Sequence, residues 1–407
     1  MKIFIIPSWQ PSNAHPTTGI FFQDQAKVLS SKRPEWLLGL SEWGSHESKL
    51  WLSLFKPLDF FLRKYSKPPI QKIEELLAPN LARFVNPRHT WTRRFLSGNL
   101  PSIIQANQEN LERFVTHFGK PDVIHAQVSF PAGYIASQLS IKNDIPYVIT
   151  EHMSPFPMRG VKDVFDEFIL PALRNADAVI VVSQHLREKL KEYQIEGVRL
   201  VSNFINEEFF EIEGGNNFQS QGNGKKLLLA VGRLEEQKNY ELLLRTMSSL
   251  VLEGEDLYLK IAGEGSERNP LEKLIQELGL HDRVALLGDL EKEALKPLLK
   301  SADRFISSSL HENLPVAIIE ALASGLPIIS TPWLGVSAML ENEIACISDQ
   351  FEVNSLSKAI RQSISHQYDK KLIRQYYLNH FGNELVIHQL EEVFVSVINE
   401  EAFRLEK

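Results

Sequence analysis

The sequence predicts an α/β chain built as two doubly wound, parallel-sheet domains. Three observations carry that prediction. Short apolar runs alternate with amphipathic stretches along most of the 407 residues. A polar segment without apolar periodicity, residues 211–226 (EIEGGNNFQSQGNGKK), interrupts the alternation near the middle and reads as a linker. The length itself exceeds what one compact core supports. The expected division is 1–210 with the C-terminal helix 380–407 returning to it, the linker 211–226, and 227–379.

Composition narrows the function classes. Hydrophobic content of 43% and charged content of 23% are ordinary for a globular protein. A formal net charge of -7 disfavours a general nucleic-acid binder. The single cysteine, Cys346, excludes an internal disulfide framework and a cysteine-based metal cluster, and reads as a small core residue. MKIFIIPSWQ is too short, and broken too early by Pro7, for a signal peptide, and no apolar run has transmembrane length. A cytoplasmic protein is expected.

In chain order, KIFIIP is a buried-strand pattern, followed by the loop SWQPSNAHPTTG and the helical stretch IFFQDQAKVLS. Gly19 before that helix lets a ligand approach the backbone at a helix N-terminus, although glycine is also common in plain strand-to-helix turns. Residues 35–100 interleave Trp36, Trp43, Trp51, Phe55, Phe60, Phe61, Tyr65, Trp91 and Phe95 with Lys56, Arg63, Lys64, Lys67, Arg83, Arg88, Arg93 and Arg94. One reading is a surface for anionic lipid head groups, giving peripheral contact at the inner face of a membrane. The other, slightly favoured, is core aromatics on helices whose outer faces carry the charges. PDVIHAQ, IPYVITEH and ADAVIVVS are further strands, and His125, Gln127, Glu151 and His152 fall at strand ends, where open α/β sheets bind ligands.

The second half repeats the alternation from LLLAVGR to PIIST. VGRLEEQKN places Gly232, Arg233 and Lys238 around a strand-to-helix turn, a setting for a diphosphate or for an ordinary solvated turn. Neither GxGxxG nor GxxxxGK[ST] occurs, which removes the usual dinucleotide and P-loop signatures. The stretch SADRFISSSLHENLPVAIIEALASGLPIISTP (301–332) reads as strand, loop, helix, strand. Its glutamates, Glu312 and Glu320, have seven residues between them, roughly one side of a helix and about 12 Å apart at about 1.5 Å per residue. That spacing suits two ends of one extended ligand. Glu320 on an otherwise apolar helix equally admits a structural salt bridge.

Taken together, GRLEEQKN, IAGEG and HENLPVAIIEALASG resemble the retaining sugar-nucleotide glycosyltransferases of the GT-B fold, family four. PSWQPSNAHPTTGIFFQDQAKVL resembles members that build bacterial surface polysaccharides. The resemblance implies two Rossmann-like domains facing across a cleft, with a UDP- or GDP-sugar donor bound mainly by the second. It implies that Arg233 and Lys238 stabilise the leaving diphosphate and that Glu320 meets the ribose. Glu312 would contact the donor sugar, with Asn313 and Leu314 beside it, Gly232 at the turn, and Gly19 close to the phosphates. His125, Gln127 and His152 would flank the same donor. No DxD motif is present, so a reaction without metal or other cofactor is expected, with a glycan or lipid-linked acceptor.

Two departures stand out. Gln127 occupies a position often held by histidine and cannot act as acid or base. WLGVSAML keeps Gly335 but lacks the glutamate of the usual loop. An epimerase of the same fold, or a non-catalytic partner subunit, remain the alternatives. NELVIHQLEEVFVSVINEEAF is expected to be one long helix.

Overall fold

The computed structural model describes residues 1–11, 19–43, 72–88, 99–157, 164–210 and 225–405. The chain divides into two compact units. The first comprises Met1–Val182, Leu186–Val201 and Ile387–Lys407, the second Ser183–His185 and Ser202–Val386.

The first unit is built on eight strands: β1 (Lys2–Pro7), β2 (Leu37–Glu42), β3 (Ile73–Ala78), β4 (Leu81–Val85), β5 (Val123–Gln127), β6 (Tyr147–Glu151), β7 (Ala178–Val181) and β8 (Arg199–Leu200). Their order is β3-β4-β2-β1-β5-β6-β7-β8, parallel except for the antiparallel edge pair β3–β4. Central strands are apolar on both faces, as a sheet covered on both sides requires, and Ile3, Phe4, Ile6, Ile124 and Val148 are fully buried. The helix Asn383–Leu405 contributes Phe394 to this unit, its ring 5.1 Å from His125 and 6.3 Å from Trp36.

The region 35–100 departs from the helical expectation. Its described part holds β2 and the β3–β4 hairpin, and Trp36 and Trp43 are buried. WLLGL is a short apolar run, and as β2 it pairs on its two edges with β1 and β4 while helices cover its faces. Arg83 pairs with Glu42 and Glu75, and Arg88 with Glu109, so these two cations serve the sheet. Trp51, Phe55, Lys56, Phe60, Phe61, Arg63, Lys64, Tyr65, Lys67, Trp91, Arg93, Arg94 and Phe95 lie outside the described residues, as do 211–224 of the linker and 12–18 of the N-terminal loop. No helix among the described residues is long and apolar enough to cross a membrane.

The second unit carries six strands, all parallel: β9 (Lys226–Val231), β10 (Leu257–Ala262), β11 (Val284–Leu286), β12 (Arg304–Ser307), β13 (Ile328–Ser330) and β14 (Ala345–Ile347). Their order, β11-β10-β9-β12-β13-β14, grows first to one side of β9 and then to the other. Cys346 is buried on β14, its Sγ 3.2 Å from the Tyr368 hydroxyl. The helices Tyr240–Leu252 and Val353–Ser365 pack together on this sheet.

Candidate functional site

The strand order fixes where each unit can bind a ligand. In an open parallel sheet the connection that reverses direction leaves a crevice at the carboxyl ends of two adjacent strands. In the second unit those strands are β9 and β12. The segment after β9 supplies Gly232, Arg233 and Lys238, and the segment after β12 supplies Ser308 to Leu314.

The two segments meet directly. Lys238 Nζ lies 2.5 Å from Glu312 Oε1. Ser309 Oγ donates to the same oxygen at 2.7 Å. Further hydrogen bonds hold the segments in register. The Leu310 amide donates to the Gln237 carbonyl at 2.8 Å, and Gln237 Nε2 donates to the His311 carbonyl at 2.7 Å. Ser308 Oγ donates to the Lys238 carbonyl at 2.7 Å. A small pocket at this point is lined by Lys238, Tyr240, Ser307, Ser308, Ser309 and Pro315, among others. Burial, and the Glu312 charge beside it, push the Tyr240 phenol up, so it stays a neutral donor to the Gly232 carbonyl.

The turn after β9 is tightly built. A Cβ on Gly263, whose φ is +143°, would fall 2.0 Å from the Gly232 carbonyl oxygen. Only glycine permits that approach of two strand ends. Arg233 is exposed and makes no ion pair among the described residues.

Glu312 is not a helical residue. The helix of this motif is Val316–Ala323, so Glu312 belongs to the loop before it and helical spacing does not relate it to Glu320. Glu320 is on the helix and buried, Asn313 is buried and Leu314 half-buried. Asn203 Nδ2 donates to the Leu314 carbonyl at 3.3 Å. Arg374 caps the helix C-terminus through the Ala323 carbonyl, the end at which a cation is favoured.

In the first unit the corresponding reversal lies between β1 and β5. Gln127 ends β5, and its Oε1 accepts from His152 Nε2 at 2.8 Å. His125 Nε2 is 2.7 Å from Thr150 Oγ1. Burial, reinforced by His152, pushes His125 down to about 3, so it is neutral at ordinary pH. His152 is packed edge-on against Phe21 and Phe22 of the helix Ile20–Lys32. Gly19, φ +75°, precedes that helix, and a Cβ there would lie 2.4 Å from the Trp9 carbonyl oxygen.

Glu151 is the residue beneath this group. Its carboxylate, fully buried, accepts backbone amides from Ser129 at 3.0 Å, His152 at 2.9 Å and Met153 at 2.8 Å. Burial raises its pKa while those hydrogen bonds pull it down, and the net direction is upward. It thereby ties the loop leaving β5 to the loop leaving β6. Sequence reasoning placed Glu151 at a strand end without a role and passed over Ser308, Ser309 and Thr331. The run Ser307–Ser309 at a strand's carboxyl end was the available signal.

Two doubly wound units with polar clusters at their reversal points are the architecture of GT-B proteins, and the comparisons agree. The family Glycosyl transferases group 1 matches residues 216–378, and Glycosyltransferase Family 4 matches residues 60–209. An uncharacterized glycosyltransferase of Methanocaldococcus jannaschii is 30% identical over 240 residues, covering 55% of this chain and 61% of that protein. The matched stretch spans between 49% and 64% of the first curated relatives. Sucrose-phosphate synthase from Thermosynechococcus elongatus superposes with a TM-score of 0.73 at 19% identity, over 98% of this chain and 100% of that one. Anabaena HepE in complex with UDP gives 0.68 at 17% identity, over 97% and 100%. Residues 216–378 thus match the group 1 glycosyltransferase family and residues 60–209 match family 4, and the chain has the GT-B fold.

Proposed function

We propose that the chain is a retaining glycosyltransferase. In this reading it moves a hexosyl group from a UDP- or GDP-sugar to a glycan or lipid-linked acceptor in the synthesis of a bacterial surface polysaccharide. The observation that carries the proposal is the meeting of Lys238 and Glu312 at the β9–β12 reversal, with the exposed Arg233 guanidinium, which makes no ion pair among the described residues, beside the glycine turn. A lysine ammonium held in place by a carboxylate and an exposed arginine supply N–H donors where a diphosphate would dock. The described structure of HepE with UDP supports a nucleotide donor.

Chemically, transfer breaks the bond between the anomeric carbon and the diphosphate oxygen. Negative charge grows on that oxygen, and cations already in place stabilise it without reorganising during the step. Lys238 and Arg233 take that role. Glu312 orients donor-sugar hydroxyls and Glu320 the ribose, so the two carboxylates bind and orient and are not an acid/base pair. Retention follows from acceptor attack on the face that the leaving phosphate departs, with that phosphate assisting deprotonation of the acceptor. Gly19, His125, Gln127 and His152 are the residues of the first unit assigned to donor binding, with Gln127 limited to hydrogen bonding.

Thermal shift against a panel of UDP-, GDP- and ADP-sugars tests the proposal. A ligand at a hundred times its Kd stabilises by about 2.7 kcal/mol. We expect one base to raise the melting temperature and the others to leave it unmoved. A flat response to every sugar nucleotide would remove the proposal.

A further inference from the structure

Three buried hydroxyls surround the Lys238–Glu312 pair. Ser309, 1% exposed, donates from Oγ to Glu312 Oε1 at 2.7 Å. Thr331, fully buried in the segment after β13, donates from Oγ1 to the Ser309 carbonyl at 2.7 Å. Ser308 holds the Lys238 carbonyl. Glu312 Oε1 therefore carries two donors, Lys238 Nζ and Ser309 Oγ, whereas Oε2 accepts no hydrogen bond among the described residues.

That asymmetry has a physical consequence. The terminal torsion of a glutamate is broad, with no sharp staggered well. A lysine ammonium is a compact charge on a flexible stem, so it fixes the distance of a carboxylate better than its plane. A second donor from a buried, backbone-anchored hydroxyl fixes the plane. We infer that Ser309 is a positioning residue: it commits Oε1 of Glu312 inward and thereby presents Oε2 to a hydroxyl of the donor's sugar, with Thr331 bracing Ser309 from the neighbouring strand end. The inference rests on the donor-site reading above. Ser309 itself touches no substrate.

Because Oε2 would meet the sugar and not the nucleotide, the two halves of the donor respond differently. Calorimetric titration with UDP, UDP-glucose, GDP and GDP-mannose separates them. Ser309→Ala is expected to keep nucleoside diphosphate affinity within about twofold of wild type and to weaken the matching sugar nucleotide about tenfold, the scale of one hydrogen bond to a charged group. Ser309→Thr, which keeps the hydroxyl, should restore it. Thr331→Val, near-isosteric and without the donor, should give the same split in smaller measure, and it provides the readout if Ser309→Ala does not fold. Equal weakening of diphosphate and sugar nucleotide, or no weakening of either, overturns the role of Ser309. Wild-type protein that binds none of the four overturns the donor site itself, a result distinct from the former.

Discussion

Lys238 Nζ and Glu312 Oε1 lie 2.5 Å apart although the two residues are 74 positions apart in sequence. Their meeting joins the strand-end segments on either side of the sheet's reversal point. Glu312 is the more buried partner, its side chain 8% exposed against 21% for lysine. Removing the cation therefore strips a mostly buried carboxylate of its charge partner.

Lys238→Ala should lower transfer by about 10²–10³-fold, the cost of deleting one donor to a developing anion. Its folding cost should be smaller, about 1–3 kcal/mol, because Ser309 and residual solvent still serve Glu312. Steady-state rates and urea denaturation of one preparation check both. Full activity in the variant would contradict the role given to the lysine.

Arg233 offers the opposite balance. With an exposed side chain and no ion pair among the described residues, it contributes little to folding. Arg233→Gln should leave stability within about 0.5 kcal/mol of wild type, while sugar-nucleotide affinity falls at least about tenfold, the effect of losing a charged hydrogen bond. A stability loss comparable with that of Lys238→Ala would mean that Arg233 is structural.

Gly263→Ala tests the turn that shapes the site. The new Cβ would meet the Gly232 carbonyl oxygen at 2.0 Å, and φ is +143°. We expect a loss of more than about 2 kcal/mol, since backbone strain and a backbone clash act together. Donor binding should fail even in protein that remains folded at low temperature, because the displaced atom neighbours Arg233. Denaturant midpoints with and without donor check both effects.

Much of this arrangement could be read from the residues. LLLAV, LYLKIA and RFIS announce parallel strands because buried sheets need apolar residues on both faces, and the glycine and lysine of VGRLEEQK mark the turn between strand and helix. The β3–β4 hairpin could not be read so easily. IEELLA lies on an exposed edge, where glutamates replace the apolar alternation that identifies a half-buried strand. β14, three residues long, is too short to show a period. At the site, residue types pointed to Arg233, Lys238, Glu312 and Glu320, and HENLP was legible as a loop before the helix, but helical spacing does not relate Glu312 to Glu320, since the helix begins at Val316. Ser309 escaped notice and Glu151 stood at a strand end without a role, because their importance lies in what they hold, and a single sequence does not display hydrogen bonds.

The first unit should show a pH signature. His125 in the folded state titrates at about 3, below the ordinary value near 6.5, so between those limits the unfolded chain binds a proton that the folded chain refuses. Stability from this group is complete above about pH 6.5 and falls as pH drops, by at most about 1.4 kcal/mol per pH unit. Glu151 works in the opposite sense. Its raised pKa makes the folded chain hold a proton longer than the unfolded one, so its contribution falls as pH rises above the ordinary carboxylate range. His125→Gln, which cannot charge, isolates the histidine: its urea midpoint should decline less steeply from pH 6.5 to 4.5 than that of wild type. Equal slopes would contradict the neutral, buried His125.

The central claim, that the β9–β12 reversal grips the diphosphate of a sugar nucleotide, is tested most directly by release of nucleoside diphosphate in wild type, Lys238→Ala and Glu320→Ala. We expect wild type to release UDP or GDP from one sugar nucleotide, slowly to water and faster with acceptor, and both variants to lose that release while retaining a cooperative melt. Release at the wild-type rate by either folded variant, or none from wild type with any sugar nucleotide, would contradict it.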